Sequence, residues 1–317
     1  MPLNTEEFKL LLTNYFLESI IYLLLRVALK PTGQSRHKLI GELRDFLNMF
    51  NLKKIINLRK GFSSYNLGKI TFFINTSRPI NLIYANLLHE KDYSHFLFYL
   101  ARIIEPKTFI DVGAHIGKYT LHLAKSFLNC QIISFEPFPE NYYSLSCSIQ
   151  LNNLTNAISY PIALSNIDGY TDLYVDEKNP GGHSFKKIHP VKGDLRKRFL
   201  KVKTMKLDSF APFREPVLIK VDVEGAEADV LKGALTTLET HAVVLAVEVH
   251  NPPLLINLDL CNCEICHYLR NEIGYRTLVL EYSSRDHRVL AISPHMSQEK
   301  EASIDRLASS HISWHRR

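Results

Sequence analysis

Thr108-Phe109-Ile110-Asp111-Val112-Gly113-Ala114-His115-Ile116-Gly117 reads as a buried strand that ends in a glycine-rich turn and opens a helix. Such a turn offers bare backbone N–H groups and the positive end of a helix, which suits a ligand carrying a carboxylate or a phosphate. Glycine spacing narrows the choice of ligand. Dinucleotide-binding folds usually show G-x-G-x-x-G, where the middle glycine lets a pyrophosphate approach the backbone; that glycine is absent here. Ala114 and an acid two places before Gly113 suit a smaller zwitterion, whose ammonium seeks a carboxylate while its own carboxylate seeks N–H donors.

S-adenosylmethionine fits that description. The next apolar run, Gln131-Ile132-Ile133-Ser134-Phe135, ends in Glu136, an acid about 20 residues past the glycine turn and at the end of a second strand, where it can accept both ribose hydroxyl protons. Either feature alone is compatible with a generic α/β turn and a solvated glutamate. Together they favour a bound adenosyl group.

Around these motifs the chain alternates strand and helix. Residues 138 to 152 read as a helix with Tyr142, Leu145 and Ile149 inward, and Ala157 to Leu164 as a third strand near Asp168-Gly169, followed by a hairpin strand from Tyr170 to Val175. Val217 to Val221 is a fourth strand, trailed by one helix with Val230, Leu231, Ala234, Leu235 and Leu238 on a face, and Val243 to Val247 is a fifth. Continuous apolar strands separated by amphipathic helices specify a sheet covered on both faces. Arg276 to Glu281 and Arg288 to Ile292 predict a closing antiparallel hairpin.

Several of these segments, taken in order, resemble the FkbM family of methyltransferases. The resemblance rests on Phe109-Ile-Asp-Val-Gly-Ala-His-Ile-Gly-Lys-Tyr-Thr, Phe135-Glu-Pro, Leu218-Ile-Lys-Val-Asp-Val-Glu-Gly-Ala-Glu and Val230-Leu-Lys-Gly-Ala, with similar segments at Gly181-Gly182-His183-Ser184 and Met205-Lys206-Leu207-Asp208-Ser209-Phe210. The family most often has Asn where this chain has His115, which replaces an amide by a pH-dependent imidazole. The resemblance implies a Rossmann-like class I methyltransferase with a seven-stranded, mostly parallel sheet and helices on both faces, and methyl transfer commonly to a hydroxyl oxygen. It names no acceptor. Under it, Asp111, Gly113, Ala114, His115 and Gly117 hold the methionine end of the cofactor, Glu136 the ribose, and the region of Asp168 reaches the adenine.

Chemistry in an open α/β sheet gathers at the carboxyl ends of the parallel strands. Asp222, Glu224 and Glu227 follow the fourth strand, and Glu248 and His250 end the fifth. Methyl transfer to an alcohol needs alignment and removal of a proton from a poor nucleophile. The family resemblance implies that the run from Asp222 to Glu227 sits beside the methyl group, which assigns Asp222 and Glu224 to acceptor or cofactor positioning; His250 is the candidate base. Blander readings set Glu227 against a helix dipole and make His250 a loop histidine. A divalent cation among these carboxylates would also lower a hydroxyl pKa, but no ligand set there has a diagnostic spacing.

The formal net charge of +6 over 317 residues is unevenly placed, with ten Lys or Arg against five Asp or Glu in residues 1 to 60. Residues 8 to 30 and 37 to 59 read as amphipathic helices, and charges at Lys9, Glu18 and Arg26 argue against a membrane span. They pack on the catalytic domain or a second subunit, or on the sharper reading touch a membrane surface peripherally; oligomeric state is left open. No secretory signal is apparent, so a cytoplasmic protein with reduced thiols is expected. The domain reading is an N-terminal helical extension with a short strand segment over 1–88, the methyltransferase domain over 89–295, and a mobile tail over 296–317.

Two other segments invite function. Cys261-Asn262-Cys263-Glu264-Ile265-Cys266-His267 is suggestive for zinc, yet compact structural sites usually take two ligand pairs from separate segments and no second pair is visible, so free thiols and no metal are the expectation. Lys178 to Lys203 carries nine Lys or Arg against Asp194 alone, which suits an anionic small-molecule or glycan acceptor or a solvated loop. The alternatives are an RNA or protein methyltransferase that uses these basic segments, against whose nucleic-acid form Phe185 and Phe199 count as the stretch's only aromatics, or a cofactor-binding protein without turnover.

Overall fold

The computed structural model describes residues 62–67, 69–75, 91–175, 198–251, 253–257, 260–283 and 286–315. The chain divides into two units, Met1–Gly61 and Phe62–Arg317. The amino-terminal helices read from the sequence fall in the first unit and lie outside the described residues, as does most of the basic stretch Lys178 to Lys203.

In chain order the second unit runs β1 (Phe62–Leu67), β2 (Ile70–Asn75), α1 (Lys91–Ile104), β3 (Thr108–Val112), α2 (Lys118–Ser126), β4 (Gln131–Phe135), α3 (Pro139–Leu151), β5 (Ala157–Tyr160), β6 (Ala163–Leu164), β7 (Gly169–Val175) and β8 (Arg198–Met205). After a 3-10 turn at Leu207–Phe210 come β9 (Val217–Val221), α4 (Glu227–Lys232), α5 (Leu235–Thr240), β10 (Val243–Val249), β11 (Leu255–Asn257), β12 (Leu260–Cys261), α6 (Glu264–His267), β13 (Arg276–Tyr282), β14 (His287–Ile292) and α7 (Gln298–His315).

Seven strands form the main sheet in the order β13-β14-β10-β9-β3-β4-β5. The five from β10 to β5 are parallel, and β14 and β13 close the edge antiparallel. Every residue of β3 and of β9 is buried, as strands covered on both faces require. Alternation along β3 sends Phe109 into a core with Leu100, Leu121 and Ile304, and Ile110 into a second core with Ile219, Val230 and Leu238.

Five sequence expectations shift. Ala157 to Leu164 is not one strand: β5 ends at Tyr160, and β6 joins a separate three-stranded sheet beside β8. The helix expected through Leu238 breaks at Gly233, where a Cβ would lie 2.0 Å from the Ser165 carbonyl oxygen. The β1–β2 hairpin, placed with the extension in sequence, docks on α3, since Ser148 Oγ accepts the Phe73 N–H at 2.8 Å and Asn152 Oδ1 the Thr71 N–H at 2.9 Å. The fifth strand runs two residues further, to Val249. The supposed tail is the helix α7, anchored by buried Ile304 and Ala308 and by Arg276 of β13, whose Nε donates to Glu301 at 2.8 Å.

Asp208 shows that a motif residue can serve the scaffold. Its Oδ1 accepts both the N–H and the hydroxyl of Thr237, at 2.9 and 2.7 Å, and its Oδ2 accepts the Thr236 N–H at 2.9 Å. Asp208→Ala strips the start of α5 of its acceptors and should cost about 1–2 kcal/mol, read as a lower urea midpoint with an unchanged slope.

Candidate active site

Strand register brings the motifs together. Val112 pairs with both Phe135 and Val221, so Gly113, Glu136 and Asp222 leave the sheet side by side. Val247 pairs with Val221, and His250 follows the end of β10. Because β4 lies on one side of β3 and β9 on the other, the chain reverses direction of build between β3 and β9, the point where open α/β sheets receive ligands.

The glycine turn works differently from its sequence reading. Its N–H groups are spent internally: Gly113 and Ala114 both donate to the Phe135 carbonyl at 3.0 Å, His115 donates to Glu136 Oε2 at 2.8 Å, and Gly117 donates to Ala114 O at 2.9 Å. The turn is therefore a shape rather than a row of free donors. Gly113, at φ +76°, runs so close to the end of β9 that a Cβ would lie 1.8 Å from the Asp222 carbonyl oxygen. His115 and Glu224 hold left-handed φ values of 53° and 51° in neighbouring loops, a strained backbone of the kind that clusters at functional sites.

Asp111 lies on the buried strand β3. Its side chain is fully buried, Oδ2 accepts the Thr120 hydroxyl at 2.7 Å and N–H at 3.2 Å, and Oδ1 stands 3.6 Å from Lys220 Nζ. Burial pushes its carboxyl up, with Lys220 and Thr120 pulling back. Asp111 thus pairs with Lys220, a cation set in the middle of an apolar strand. Lys220 also donates to Asp222 Oδ2 at 3.2 Å; burial works against its charge, but Asp222 and Asp111 outweigh burial and hold it above the ordinary lysine range. A lone lysine inside Val217–Val221 was the available sequence signal.

Glu136 is nearly closed off, with Oε1 accepting the Phe138 N–H at 2.9 Å and Oε2 the His115 N–H. Burial raises its pKa to about 7 against those bonds. Asp168 is exposed beside the small sheet, where its Oδ1 accepts the Lys206 N–H at 2.8 Å.

Four side chains from β9, α4 and β10 form one cluster. His250 Nδ1 lies 2.7 Å from Glu227 Oε1, and its Nε2 lies 3.5 Å from Glu224 Oε2 and 3.8 Å from Asp222 Oδ1. Glu227, buried, also accepts the Gly225 N–H at 2.8 Å, which fixes it as the residue that orients the imidazole. Burial lowers the pKa of His250, but the Glu227 hydrogen bond and the charges of Asp222 and Glu224 overcome it and raise the pKa to about 10. The geometry holds His250 toward its charged form, clamped by Glu227 and facing two further carboxylates. Burial and then the neighbouring Asp222 and Glu227 hold Glu224 at about 7, offset in part by His250. Asp222 is drawn below its ordinary range, since Lys220 and His250 outweigh burial. With side chains about one-third exposed, Asp222 and Glu224 are the open members of the cluster. Glu248 is engaged by Arg288, 3.2 Å away.

A model of the FkbM methyltransferase domain matches residues 111–298, more than half of the chain. The chain belongs to the FkbM methyltransferase family. Methyltransferase 1 of Beauveria bassiana (strain ARSEF 2860) is 25% identical over 174 residues, covering 50% of this chain and 70% of that protein. Methyltransferase sdnD of Sordaria araneosa is 26% identical over 182 residues, covering 49% and 70%. Among solved structures, the FkbM methyltransferase from Methylobacillus flagellatus KT aligns with a TM-score of 0.39 at 16% identity, over 58% of this chain and 43% of that one. The FkbM match takes in the glycine turn, Glu136, the carboxylate–histidine cluster and the antiparallel edge of the sheet. No described helix is long and apolar enough to cross a membrane.

Proposed function

We propose that this FkbM protein transfers the methyl group of S-adenosylmethionine to a hydroxyl on a sugar, glycan, lipid-linked saccharide or related metabolite. The observation that carries the reading is the cluster of Asp222, Glu224, Glu227 and His250 at the carboxyl ends of β9 and β10, beside the turn after β3. The donor set suits this cofactor: a near-buried carboxylate at Glu136 for a diol, and the partly open carboxylate of Asp222 for the positive charge of an ammonium or sulfonium. When bound, S-adenosylmethionine supplies an electrophilic methyl group whose leaving group needs no protonation.

The chain's task is to align the acceptor and take its proton. Glu224 is the group suited to the second role, because a pKa of about 7 leaves it half ionised at neutral pH and a good acceptor of a hydroxyl proton. His250, clamped by Glu227, presents Nε2 to Asp222 and Glu224 and keeps both carboxylates in place. Asp222, paired with Lys220, stays ionised and provides fixed negative charge.

Incubation with methyl-labelled S-adenosylmethionine and fractionated extract tests the reading. Label in a saccharide or polar-lipid fraction, stable to mild base, is the expected result. Label confined to RNA or protein, or transferred to no fraction by folded protein that binds the cofactor, contradicts it. A second expectation concerns Glu136, whose ionised form accepts the ribose hydroxyls. Ligand binding then draws its pKa down from about 7, so affinity should weaken as pH falls below about 7, and Glu136→Gln should flatten that dependence in calorimetric titrations.

A further inference from the structure

We infer that Cys261, Cys263, Cys266 and His287 form a structural zinc site. All four are buried, and one ligand atom from each lies within 4.8 Å of the others. His287 Nε2 is 3.2 Å from Cys263 Sγ and 3.5 Å from Cys261 Sγ. A tetrahedral zinc with ordinary bond lengths spaces sulfur and nitrogen about 3.6 Å apart and two sulfurs about 3.8 Å apart, so the cluster needs only small adjustments to close on a metal. Three thiols and an imidazole in tetrahedral array are a soft donor set that selects zinc over the hard cations.

The surroundings are those of a ligand set rather than of thiols packed as small hydrophobes. His287 is 1% exposed, and at that burial an imidazole nitrogen without a partner is costly. Its Nδ1 donates to the Asn251 carbonyl at 3.0 Å, which fixes the tautomer and leaves the Nε2 lone pair aimed at the sulfurs, the arrangement usual for a metal-bound histidine. Cys261 Sγ accepts the backbone N–H groups of Leu254 at 3.2 Å and Cys263 at 3.3 Å, as thiolate ligands do. Arg270 braces the same loop through the Cys261 carbonyl at 2.7 Å and Thr277 Oγ1 at 2.9 Å.

The missing ligand of the sequence reading is thus His287 and not the exposed His267. It arrives on β14, paired with Val249, the residue before His250. The metal would tie the segment that follows His250 to the edge of the sheet, holding the floor of the carboxylate cluster.

Purified full-length protein, prepared without chelator, should carry one zinc per chain by plasma mass spectrometry. Cobalt(II) in its place should give thiolate-to-metal charge transfer and the strong visible bands of a tetrahedral site. Cys263→Ser and His287→Ala should lose the metal, Cys130→Ser should keep it, and His287→Cys should restore it, with circular dichroism reporting the fold of each. Folded wild-type protein without stoichiometric zinc and without the cobalt spectrum overturns the inference, as does iron in place of zinc, a Cys263–Cys266 disulfide, or zinc retained in the folded Cys263→Ser and His287→Ala variants.

Discussion

Glu224→Gln should lower kcat by about 10²–10⁴-fold while leaving the affinity for S-adenosylmethionine within a few-fold of wild type. The amide keeps the shape and the partly open position of the carboxylate but cannot take a proton. The sign of the pH effect follows from the ionisation. A base with a pKa of about 7 is inactive when protonated, so wild-type kcat should rise with pH through about 7 and then level. In Glu224→Gln that rise should vanish. His250 has the opposite signature: its charge is lost only as pH climbs through about 10, so it contributes a falling limb near that value and none at neutrality. A rise in the wild-type profile that survives in Glu224→Gln would return the base to His250.

The second large effect is on the scaffold. Gly113→Ala should destabilise the protein by about 3 kcal/mol or more, a drop in Tm on the order of 10 °C. About 1–2 kcal/mol comes from an alanine held at φ +76°, and a further ~1–3 from moving the backbone it would strike. The struck atom is the carbonyl oxygen of Asp222, 1.8 Å away, which has no flexible end to give. Gly274 supplies the control, because its φ is +82° and nothing lies within 4 Å of its Cβ position. Gly274→Ala should therefore show the dihedral cost alone, and the difference between the two variants measures how tightly the turn after β3 is pressed on the loop carrying Asp222 and Glu224. Equal losses would mean that this contact is slack.

What was legible in the sequence was what depends on local pattern. The apolar runs at Phe109, Ile132, Leu218 and Val244 specified four of the five parallel strands, and the acids and glycines at their ends marked the right edge of the sheet. What stayed hidden depends on which segments meet. The stripe of Ile304, Leu307, Ala308 and Ile312 that seats α7 is set among charged and hydroxyl-bearing residues, and Arg276, the partner of its Glu301, comes from β13. Glu227 looked like a helix-dipole acid because its bond to His250 spans 23 residues and exists only in the register of β9 against β10. His287 lies outside the cysteine run and reaches it through the pairing of β14 with β10. Asp111 and the N–H groups of the turn have the composition of a binding loop, and strand packing adds what the sequence does not show, the partners Thr120, Lys220, Phe135 and Glu136.

Calorimetric titration of the folded protein with S-adenosylmethionine reaches the central claim most directly. Saturable binding at a single site in wild type, weakened at least about tenfold in Glu136→Ala by loss of a charged hydrogen-bond acceptor, is the result predicted. Absence of binding heat with both this compound and its demethylated product, or an affinity indifferent to Glu136→Ala, would contradict the placement of the cofactor at the carboxyl ends of β3 and β4.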